Sequence, residues 1–504
     1  MHQQHRRKGA FGFLTTALAL VALIGTSAAA GAQAAPPRTG PRIVGGTEAK
    51  SGAWPAQAGL LFHELPDNFD AQYCGGTVIS ATWVLTAGHC MFDNSASFPL
   101  TASDIDVLTG TQDLGHGGTR TRAAQLVLAP GFNWNTPHYE TPDHDAALVR
   151  LSTPTSAKAM PYAAASDTVP AGADLVTTGW GQVDNGDPPT YATKLRQVHV
   201  PAVDDDVCQG VYGGELIASV MLCAGNMADG GVDACNGDSG GPLARKVDGV
   251  WEAVGIVSWG PTECGAAGQP GVYTRVSAFS SWIADQTRLG PHRTVAEATV
   301  RLFADFYGRF PTDDEFDSWD AVLTDQPAWV AATYLVAGSQ WQRTAGDVSR
   351  LYEAYFARTG DTSGMRYWIG KLQHGGSLGS VSASFASSSE FTSTYGTLTP
   401  TDFVELVYQN TLGRPADASG LAYWSGQVSS GHLSRASLMT RFSQSSEFHR
   451  RTDAVVNTTI TYLALVRRAA DATELTRWAG LPNGQLNHYL IDSYAYASRY
   501  DRGS

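Results

Sequence analysis

The stretch Asp233-Ala234-Cys235-Asn236-Gly237-Asp238-Ser239-Gly240-Gly241-Pro242 surrounds one serine with glycines. A serine hydroxyl is a poor nucleophile at neutral pH, so it needs a base to take its proton and donors for the oxyanion that forms. Glycines beside Ser239 allow a tight turn, and the N–H groups of Gly237 and Ser239 could then point at one spot. The alternative is a plain surface turn, since Gly, Asp and Ser are ordinary turn formers.

Two other stretches carry the partners that such a serine needs. Thr86-Ala87-Gly88-His89-Cys90 follows the apolar run Trp83-Val84-Leu85, and Asp145 begins the apolar run Ala146-Ala147-Leu148-Val149. The chain order His, Asp, Ser is that of the chymotrypsin arrangement. Residues 43–284 therefore resemble the trypsin/chymotrypsin family of serine proteases, and its trypsin branch in particular.

The resemblance implies two six-stranded β-barrels with the active site in the cleft between them. Ser239 would attack the scissile carbonyl, His89 would take its proton, and Asp145 would fix the imidazole tautomer. Asp143 is the alternative carboxylate, but only Asp145 has the family's apolar run in register. Oxyanion donors would be the N–H groups of Gly237 and Ser239.

Strand-like runs separated by turn residues agree with an all-β barrel or sandwich in this part of the chain. The runs are residues 57–62, 77–85, 123–128 and 253–259, and residues 278–288 would form a terminal helix.

The resemblance also predicts the first substrate pocket. Asp233, six residues before Ser239, would lie at its floor and select a long cationic side chain. Ala234 stands where trypsins often have a hydroxyl, so a Lys ammonium loses a partner while Arg still reaches Asp233. We expect cleavage after Arg and Lys, with Arg preferred; the alternative is a loop carboxylate without a pocket. The predicted walls are Ser258-Trp259-Gly260 and Gly271-Val272-Tyr273.

The N-terminus has the features of a secretory signal peptide over residues 1–34. Arg6-Arg7-Lys8 precedes the largely apolar residues 11–25, and Ala32-Gln33-Ala34 is a small-residue cleavage site. A membrane anchor is the alternative, although the apolar core is short for a span. Six cysteines, all between Cys74 and Cys264, indicate disulfides and an oxidising compartment. We expect a secreted bacterial protein.

Residues 35–42 are predicted to be a propeptide. Cleavage after Arg42 would expose Ile43-Val44-Gly45-Gly46, and in the family this new amino group pairs with the Asp before the nucleophile, here Asp238. The alternative is that Asp238 merely caps the turn. Because the propeptide ends in Arg42, self-activation is a hypothesis.

The resemblance implies the disulfides Cys74–Cys90, Cys208–Cys223 and Cys235–Cys264, although sequence alone allows fifteen pairings. The chain departs from the family at Gly88, where alanine is usual, and at residues 261–263, which are longer and more acidic than in typical trypsins. Residues 109–121 lack the acidic pair that binds calcium in animal trypsins, so neither metal nor cofactor is expected.

Partners are limited by charge as well as by family. The net charge of −13, with no basic cluster beyond the N-terminus, argues against nucleic acid. Expected partners are protein or peptide substrates with Arg or Lys, and protein protease inhibitors. A non-catalytic binding protein is the rival interpretation, but inactive relatives usually lose His, Asp or Ser. A serine esterase of the α/β-hydrolase class would have another chain order.

Hydrophobic periodicity changes to a helical period near residue 295, and 504 residues allow more than one domain. The predicted organisation is a protease domain over residues 43–286, a linker over 287–294 and an all-α repeat domain over 295–504. Four units each contain Arg, a capping residue three positions later and Trp seven after that, then Ser-x-aromatic. They are Arg309-Thr312-Trp319 with Ser339–Trp341, Arg358-Asp361-Trp368 with Ser389–Phe391, Arg414-Asp417-Trp424 with Ser446–Phe448, and Arg468-Asp471-Trp478 with Ser498–Tyr500.

These units resemble phycobilisome-linker-like repeats of unknown function found in bacterial extracellular proteins. The repeated Trp could bind sugar rings and the repeated Asp could bind calcium, but helical packing with capped ends is the favoured interpretation. Attachment to a cell wall, a matrix or a polymeric substrate is a hypothesis for this region.

Overall fold

The computed structural model describes residues 45–92, 99–134, 141–186 and 188–500. The predicted signal peptide and propeptide, with Arg42 and Ile43, lie outside the described residues. We call residues 45–287 the protease region and residues 288–500 the helical region. Each region has its own cluster of buried apolar side chains.

The protease region contains two barrels of antiparallel strands. Strand β1 (Thr47–Glu48) comes first in the chain and pairs with the second barrel. The first barrel is a closed ring in the order β2-β3-β4-β7-β6-β5. Its strands are β2 (Gln57–Phe62), β3 (Gln72–Ser80), β4 (Trp83–Thr86), β5 (Ile105–Thr109), β6 (Thr119–Leu128) and β7 (Ala147–Leu151).

The second barrel follows in sequence. Its order is β9-β10-β13-β12-β11-β8, and pairing of β8 with β9 closes the ring while β1 adds to β9. Its strands are β8 (Asp174–Gly179), β9 (Arg196–Val203), β10 (Met221–Ala224), β11 (Pro242–Val247), β12 (Val250–Trp259) and β13 (Gly271–Arg275). The two barrels of six strands agree with the fold that the resemblance implies.

Three of the four predicted strand runs lie within single strands, but residues 77–85 do not. Ala81 and Thr82 turn the chain between β3 and β4, so the prediction of one continuous strand there is wrong. Residues on both sides of this turn are buried, and the run contains no Gly, Pro, Asn or Asp that would mark the turn. The protease region also contains α1 (Asn68–Ala71), α2 (Asp205–Tyr212) and the terminal helix α3 (Val276–Thr287).

The helical region consists of helices joined by short turns. They are α4 (Val295–Tyr307), α5 (Asp313–Asp325), α6 (Ala328–Ala337), α7 (Ser339–Trp341), α8 (Asp347–Phe356), α9 (Thr362–Gln373), α10 (Leu378–Ala386), α11 (Ser389–Tyr395), α12 (Pro400–Leu412), α13 (Ala418–Ser429), α14 (Arg435–Ser443), α15 (Ser446–Val466), α16 (Ala472–Trp478), α17 (Asn483–Ile491) and α18 (Tyr494–Ala497). None of the helices in the described residues is long and apolar enough to cross a bilayer.

The predicted capping residues of the four units are all helix N-caps. Thr312, Asp361, Asp417 and Asp471 each accept a hydrogen bond from the backbone N–H three residues later. The preceding arginines bind carboxylates, and their contacts are Arg309–Glu315, Arg358–Glu390, Arg414–Glu447 and Arg468–Glu474. The four sites thus share the N-cap, but Arg309 and Arg468 pair within their own unit's helix whereas Arg358 and Arg414 pair with glutamates of a later helix. The repeat nature of the units stays a prediction.

The aromatic residues of the four units differ in burial. Of the four tryptophans, Trp478 is buried and the other three are half-exposed but pack against the core. In the last unit the buried aromatic is Tyr496, which follows the N-cap Ser493, and not Tyr500. The predicted Ser498–Tyr500 alignment is therefore displaced by one helical turn.

The segment predicted as a linker is packed between the two regions. The Arg288 carbonyl accepts the Ala328 N–H at 2.7 Å, and the His292 side chain is buried. Arg150 donates to the carbonyls of Pro291 and His292 at 2.9 and 3.0 Å. These contacts hold the helical region against the first barrel. The segment between the two regions is therefore packed and hydrogen-bonded.

Candidate active site

His89 lies on a short 3-10 turn, Gly88–Met91, directly after β4. A disulfide joins Cys90 to Cys74 on β3 and holds this turn against the barrel. A Cβ added at Gly88 would lie 2.5 Å from the Phe132 ring. Phe132 therefore occupies the space that the family's usual alanine would need, which accounts for this departure from the family.

Asp145 lies two residues before β7 and is almost completely buried. Its carboxylate accepts the His89 backbone N–H at 2.8 Å and lies 2.7 Å from His89 Nδ1. An ionised carboxylate only accepts, so it favours the tautomer with the proton on Nδ1 and leaves a lone pair on Nε2. Asp143, the alternative, instead contacts His144 Nδ1 at 2.7 Å.

Two residues from the second barrel support Asp145, and sequence reasoning did not assign them this role. The Ser258 hydroxyl donates to Asp145 Oδ2 at 2.5 Å, and the Thr274 hydroxyl donates to the Asp145 carbonyl at 2.6 Å. The family resemblance predicts Ser258 only as part of the pocket wall. The positions of Ser258 and Asp145 in the sequence do not predict this hydrogen bond, because it forms only where the two barrels meet.

Ser239 lies in the loop before β11 and faces the first barrel. Its carbonyl accepts the Gly75 N–H at 2.7 Å. The Cys90 sulfur lies 3.7 Å from both the Ser239 carbonyl oxygen and His89 Nε2, so the Ser239 backbone and the imidazole both lie next to this sulfur. Among the described residues no hydrogen bond joins the Ser239 hydroxyl to His89, and such bonds often tighten only when substrate binds.

The loop around Ser239 has the backbone freedom that donors for an oxyanion require. Gly237 has a φ of 93° and Gly240 a φ of 80°. A Cβ at Gly240 would lie 2.2 Å from the Thr86 hydroxyl, so only glycine fits there. Within the described residues, the N–H groups of Gly237 and Ser239 donate to no other protein group. Gln72, which sequence reasoning missed, donates to the Gly237 carbonyl at 2.9 Å.

Asp238 is fully buried behind this loop. Its carboxylate accepts the Cys235 and Gly181 N–H groups at 2.9 and 2.7 Å. Burial raises its pKa to about 6, and the two hydrogen bonds oppose that shift. In the part of the chain that the structure describes, no cation pairs with it. A buried carboxylate of this kind is stabilised by a positive partner.

A cavity of about 90 Å³ opens beside Ser239, with Asp233 at its buried end. Asp233 accepts long hydrogen bonds from Gly265 N–H at 3.3 Å and the Tyr273 hydroxyl at 3.5 Å. Burial raises the Asp233 pKa to about 7. A Cβ at Gly271 would lie 2.5 Å from the carboxylate, so glycine keeps this end open. The lining includes all six predicted pocket residues, namely Asp233, Ala234, Ser258, Trp259, Gly260 and Gly271.

The six cysteines form the three pairs that the family register predicts. Cys74–Cys90 braces the histidine turn, Cys235–Cys264 braces the pocket, and Cys208–Cys223 joins α2 to β10. The structure contains no free cysteine among the described residues.

A serine near an imidazole that is oriented by a buried carboxylate, with a pocket beside it, is an arrangement typical of serine hydrolases. The trypsin family model matches residues 43–283. Mouse tryptase is 35% identical over 263 residues, which cover 49% of this chain and 89% of tryptase. The chain belongs to the trypsin family of serine proteases, and residues 43–283 form a serine endopeptidase domain, which is a hydrolase.

Two larger relatives match over the same region. Mouse serine protease 56 is 38% identical over 257 residues, or 50% of this chain and 39% of that protein. Mouse transmembrane protease serine 7 is 39% identical over 250 residues, or 48% of this chain and 28% of that protein. The chain thus spans well under half the length of these two relatives. All three relatives are mouse proteins, and bacterial origin stays a prediction.

The helical region matches a different family model. A domain of unknown function, DUF4214, matches residues 382–452. This segment extends from α10 into α15 and covers parts of the second and third predicted units. The match does not confirm the predicted resemblance to phycobilisome-linker-like repeats.

Proposed function

We propose that this protein is an endopeptidase that hydrolyses peptide bonds after Arg and Lys. The observation that carries the proposal is the pairing of His89 with buried Asp145, beside Ser239 and a pocket that ends in Asp233. The protein's substrates are accordingly proteins or peptides that expose a basic residue.

The reaction follows from the roles of these groups. His89 Nε2 takes the Ser239 proton as the hydroxyl oxygen attacks the scissile carbonyl, and then donates that proton to the leaving amine. Asp145 stabilises the imidazolium that forms, and Ser258 keeps the carboxylate in place by its hydrogen bond. The free N–H groups of Gly237 and Ser239 receive the oxyanion. Water then cleaves the acyl-enzyme by the reverse sequence.

Preference for Arg over Lys is supported by the pocket's end. Asp233 has long hydrogen bonds and is available to a cation, while the neighbouring Ala234 offers no side-chain acceptor. A guanidinium reaches a carboxylate with two donors, but an ammonium needs further acceptors.

Mass spectrometry of peptides cut from a mixed proteome tests this proposal. We expect Arg to dominate the position before the cut, with Lys second, and Ala234→Ser to raise the share of Lys. Ser239→Ala is the control that shows which cuts belong to this enzyme. Absence of enrichment for basic residues in the Ser239-dependent cuts would refute the specificity.

Activation by cleavage after Arg42 is a further part of the proposal. The new amino group of Ile43 would supply the cation that buried Asp238 lacks among the described residues, and the pair would order the Gly237 loop. In a protease-free host, the unaltered chain should lose its propeptide if activation is autocatalytic, whereas Ser239→Ala should keep it. Loss from both proteins would assign the cleavage to another protease.

We also propose that the protein is secreted and that the helical region attaches it to a surface or an insoluble substrate. Support comes from Tyr367 and Tyr423, which are more than half exposed, each with its ring 4.8 Å from the following tryptophan. A Ser239→Ala chain should sediment with cell walls or insoluble protein, and adding Tyr367→Ala and Tyr423→Ala should release it. Failure of the parent chain to sediment with any of them would refute attachment.

A further inference from the structure

A cavity of about 500 Å³ lies at the junction of the first barrel and the helical region. The barrel contributes Arg150 and Ser152, the start of the helical region contributes Arg293 and Glu297, and the end of the described chain contributes Tyr500. A volume of this size is typical of pockets for small molecules. The cavity is far larger than the pocket at Asp233, and the function proposed above does not use it.

Positive charge exceeds negative charge among the lining side chains. Arg150 and Arg293 face one carboxylate, Glu297, which accepts the backbone N–H of Arg293 at 3.0 Å. Neither arginine forms an ion pair within 4 Å among the described residues. Burial lowers the pKa of Arg150, and repulsion from Arg293 lowers it further while Glu297 opposes the shift. A half-buried guanidinium in this position lacks a full countercharge.

Arg150 is held in a fixed orientation. Its Nη2 donates to the Pro291 and His292 carbonyls, and its guanidinium carbon lies 5.3 Å from the centre of the Trp83 ring. These two hydrogen bonds use one nitrogen of a group that carries five N–H donors. The remaining donors are available on a side chain that needs little further ordering to bind a ligand.

Further cations surround the junction. Arg301 lies over the Tyr500 ring at 5.2 Å, and Arg499 pairs with buried Asp305. His292 is neutral, because burial and the charges of Arg301, Arg150 and Arg499 lower its pKa to about 3. The local field is therefore positive and favours an anion.

We propose that this cavity binds a small polyanion, a polycarboxylate or a phosphate compound, between Arg150 of the protease region and Arg293 of the helical region. Guanidinium groups bind carboxylate and phosphate oxygens through paired N–H donors. Because the two arginines come from different regions, the bound anion stabilises the docked arrangement by mass action. The bound anion would lie at Arg150, near the end of β7, whereas Asp145 precedes the start of this strand.

The test uses the full chain in a Ser239→Ala background, so that it cannot cut itself. Citrate and inorganic phosphate are titrated separately at constant ionic strength, made up with potassium chloride, and the thermal midpoint and binding heat are recorded. We expect at least one probe to raise the midpoint with saturation, and Arg293→Gln to weaken its binding by about tenfold. Arg293 is exposed, so its replacement leaves the fold intact.

Arg450→Gln is the matched control, since it removes one exposed arginine from the helical region away from the cavity. It should bind the probe as the parent does. Arg293→Lys should retain part of the affinity. A shift of equal size in the parent and in Arg293→Gln, or no saturable shift with either probe, would overturn the proposal.

Discussion

Asp145 in the protease region and Asp361 in the helical region both accept backbone N–H groups, but from very different distances along the chain. The donor to Asp145 is His89, 56 residues away, whereas the donor to Asp361 is Gly364, three residues away. Contacts within one helical turn form wherever the local sequence permits. Contacts between barrels form only in the complete fold, which is why the protease region can position groups around a cleft.

The same contrast appears in the charged pairs. Arg309 and Arg468 bind glutamates six residues ahead, and each also lies over an aromatic ring of the preceding helix. Asp233 and Asp238 in the protease region are buried without a cationic partner among the described residues. A carboxylate that is paired with a nearby arginine already has its charge neutralised, so it is not available to bind another cation. In the proposed mechanism, a buried carboxylate without a cationic partner stays available to a basic substrate side chain, as at Asp233, or to the new N-terminus, as at Asp238.

The largest expected effect comes from breaking the long-range contact of Asp145. Asp145→Asn should lower kcat by about 10⁴-fold, since the amide no longer holds the imidazole in its working tautomer. Asp143→Asn is the matched control and should keep kcat within about twofold, because Asp143 contacts His144 instead. Equal losses of kcat in both variants, measured with one Arg peptide substrate, would contradict the assignment of Asp145 rather than Asp143 as the carboxylate that orients His89.

Removal of the pocket carboxylate should have the next largest effect. Asp233→Ser should lower kcat/KM for an Arg substrate by about 10³-fold, because the guanidinium loses its buried partner. Asp229 is exposed on the same loop, and Asp229→Ser should leave kcat/KM unchanged. The ratio of Arg to Leu substrates is the measurement, and an unaltered ratio in Asp233→Ser would contradict the assigned role.

Binding of benzamidine should depend on pH through Asp233. Burial raises the pKa of this carboxyl to about 7, so the ligand-free protein prefers the neutral form and loses stability as pH rises toward 7. The cationic ligand needs the ionised form, so its dissociation constant should rise about tenfold for each pH unit below 7. Calorimetry should detect proton release on binding at pH 6; a constant affinity from pH 5 to 8 would disagree.

Loss of a local cap should have a smaller effect, confined to stability. Asp361→Ala should lower the free energy of unfolding of the helical region by about 1 kcal/mol, because the Gly364 N–H loses its acceptor. Urea denaturation measures this change, and kcat/KM should stay the same. A comparable loss of activity would show that the two regions depend on each other more than their separate cores indicate.

The smallest expected effect is a gain in stability. The residue before each unit's arginine ends a helix with positive φ, and it is Gly308, Ala357, Gly413 or Arg467. Ala357→Gly should raise the free energy of unfolding by up to about 1 kcal/mol, because glycine adopts this conformation without strain. Ala354→Gly, within α8, should lower it instead.

The sequence predicted the site stretches and the helix caps because each is marked by adjacent residues, whereas the two six-stranded barrels were implied by the family resemblance. Thr312, Asp361, Asp417 and Asp471 were found as caps since capping is a local rule. The support that Ser258, Thr274 and Gln72 give to the site could not be predicted, because it depends on how distant strands meet. The turn at residues 81–82 was missed because no Gly, Pro, Asn or Asp marks it in the sequence.

Covalent labelling of the processed protein by a fluorophosphonate, followed by peptide mapping, tests the central account most directly. An activated serine reacts with such a probe, whereas an ordinary surface serine does not. We predict one adduct, on Ser239, which disappears in Ser239→Ala and falls strongly in Asp145→Asn but not in Asp143→Asn. An adduct on another serine, or none in protein that begins at Ile43, would contradict the account.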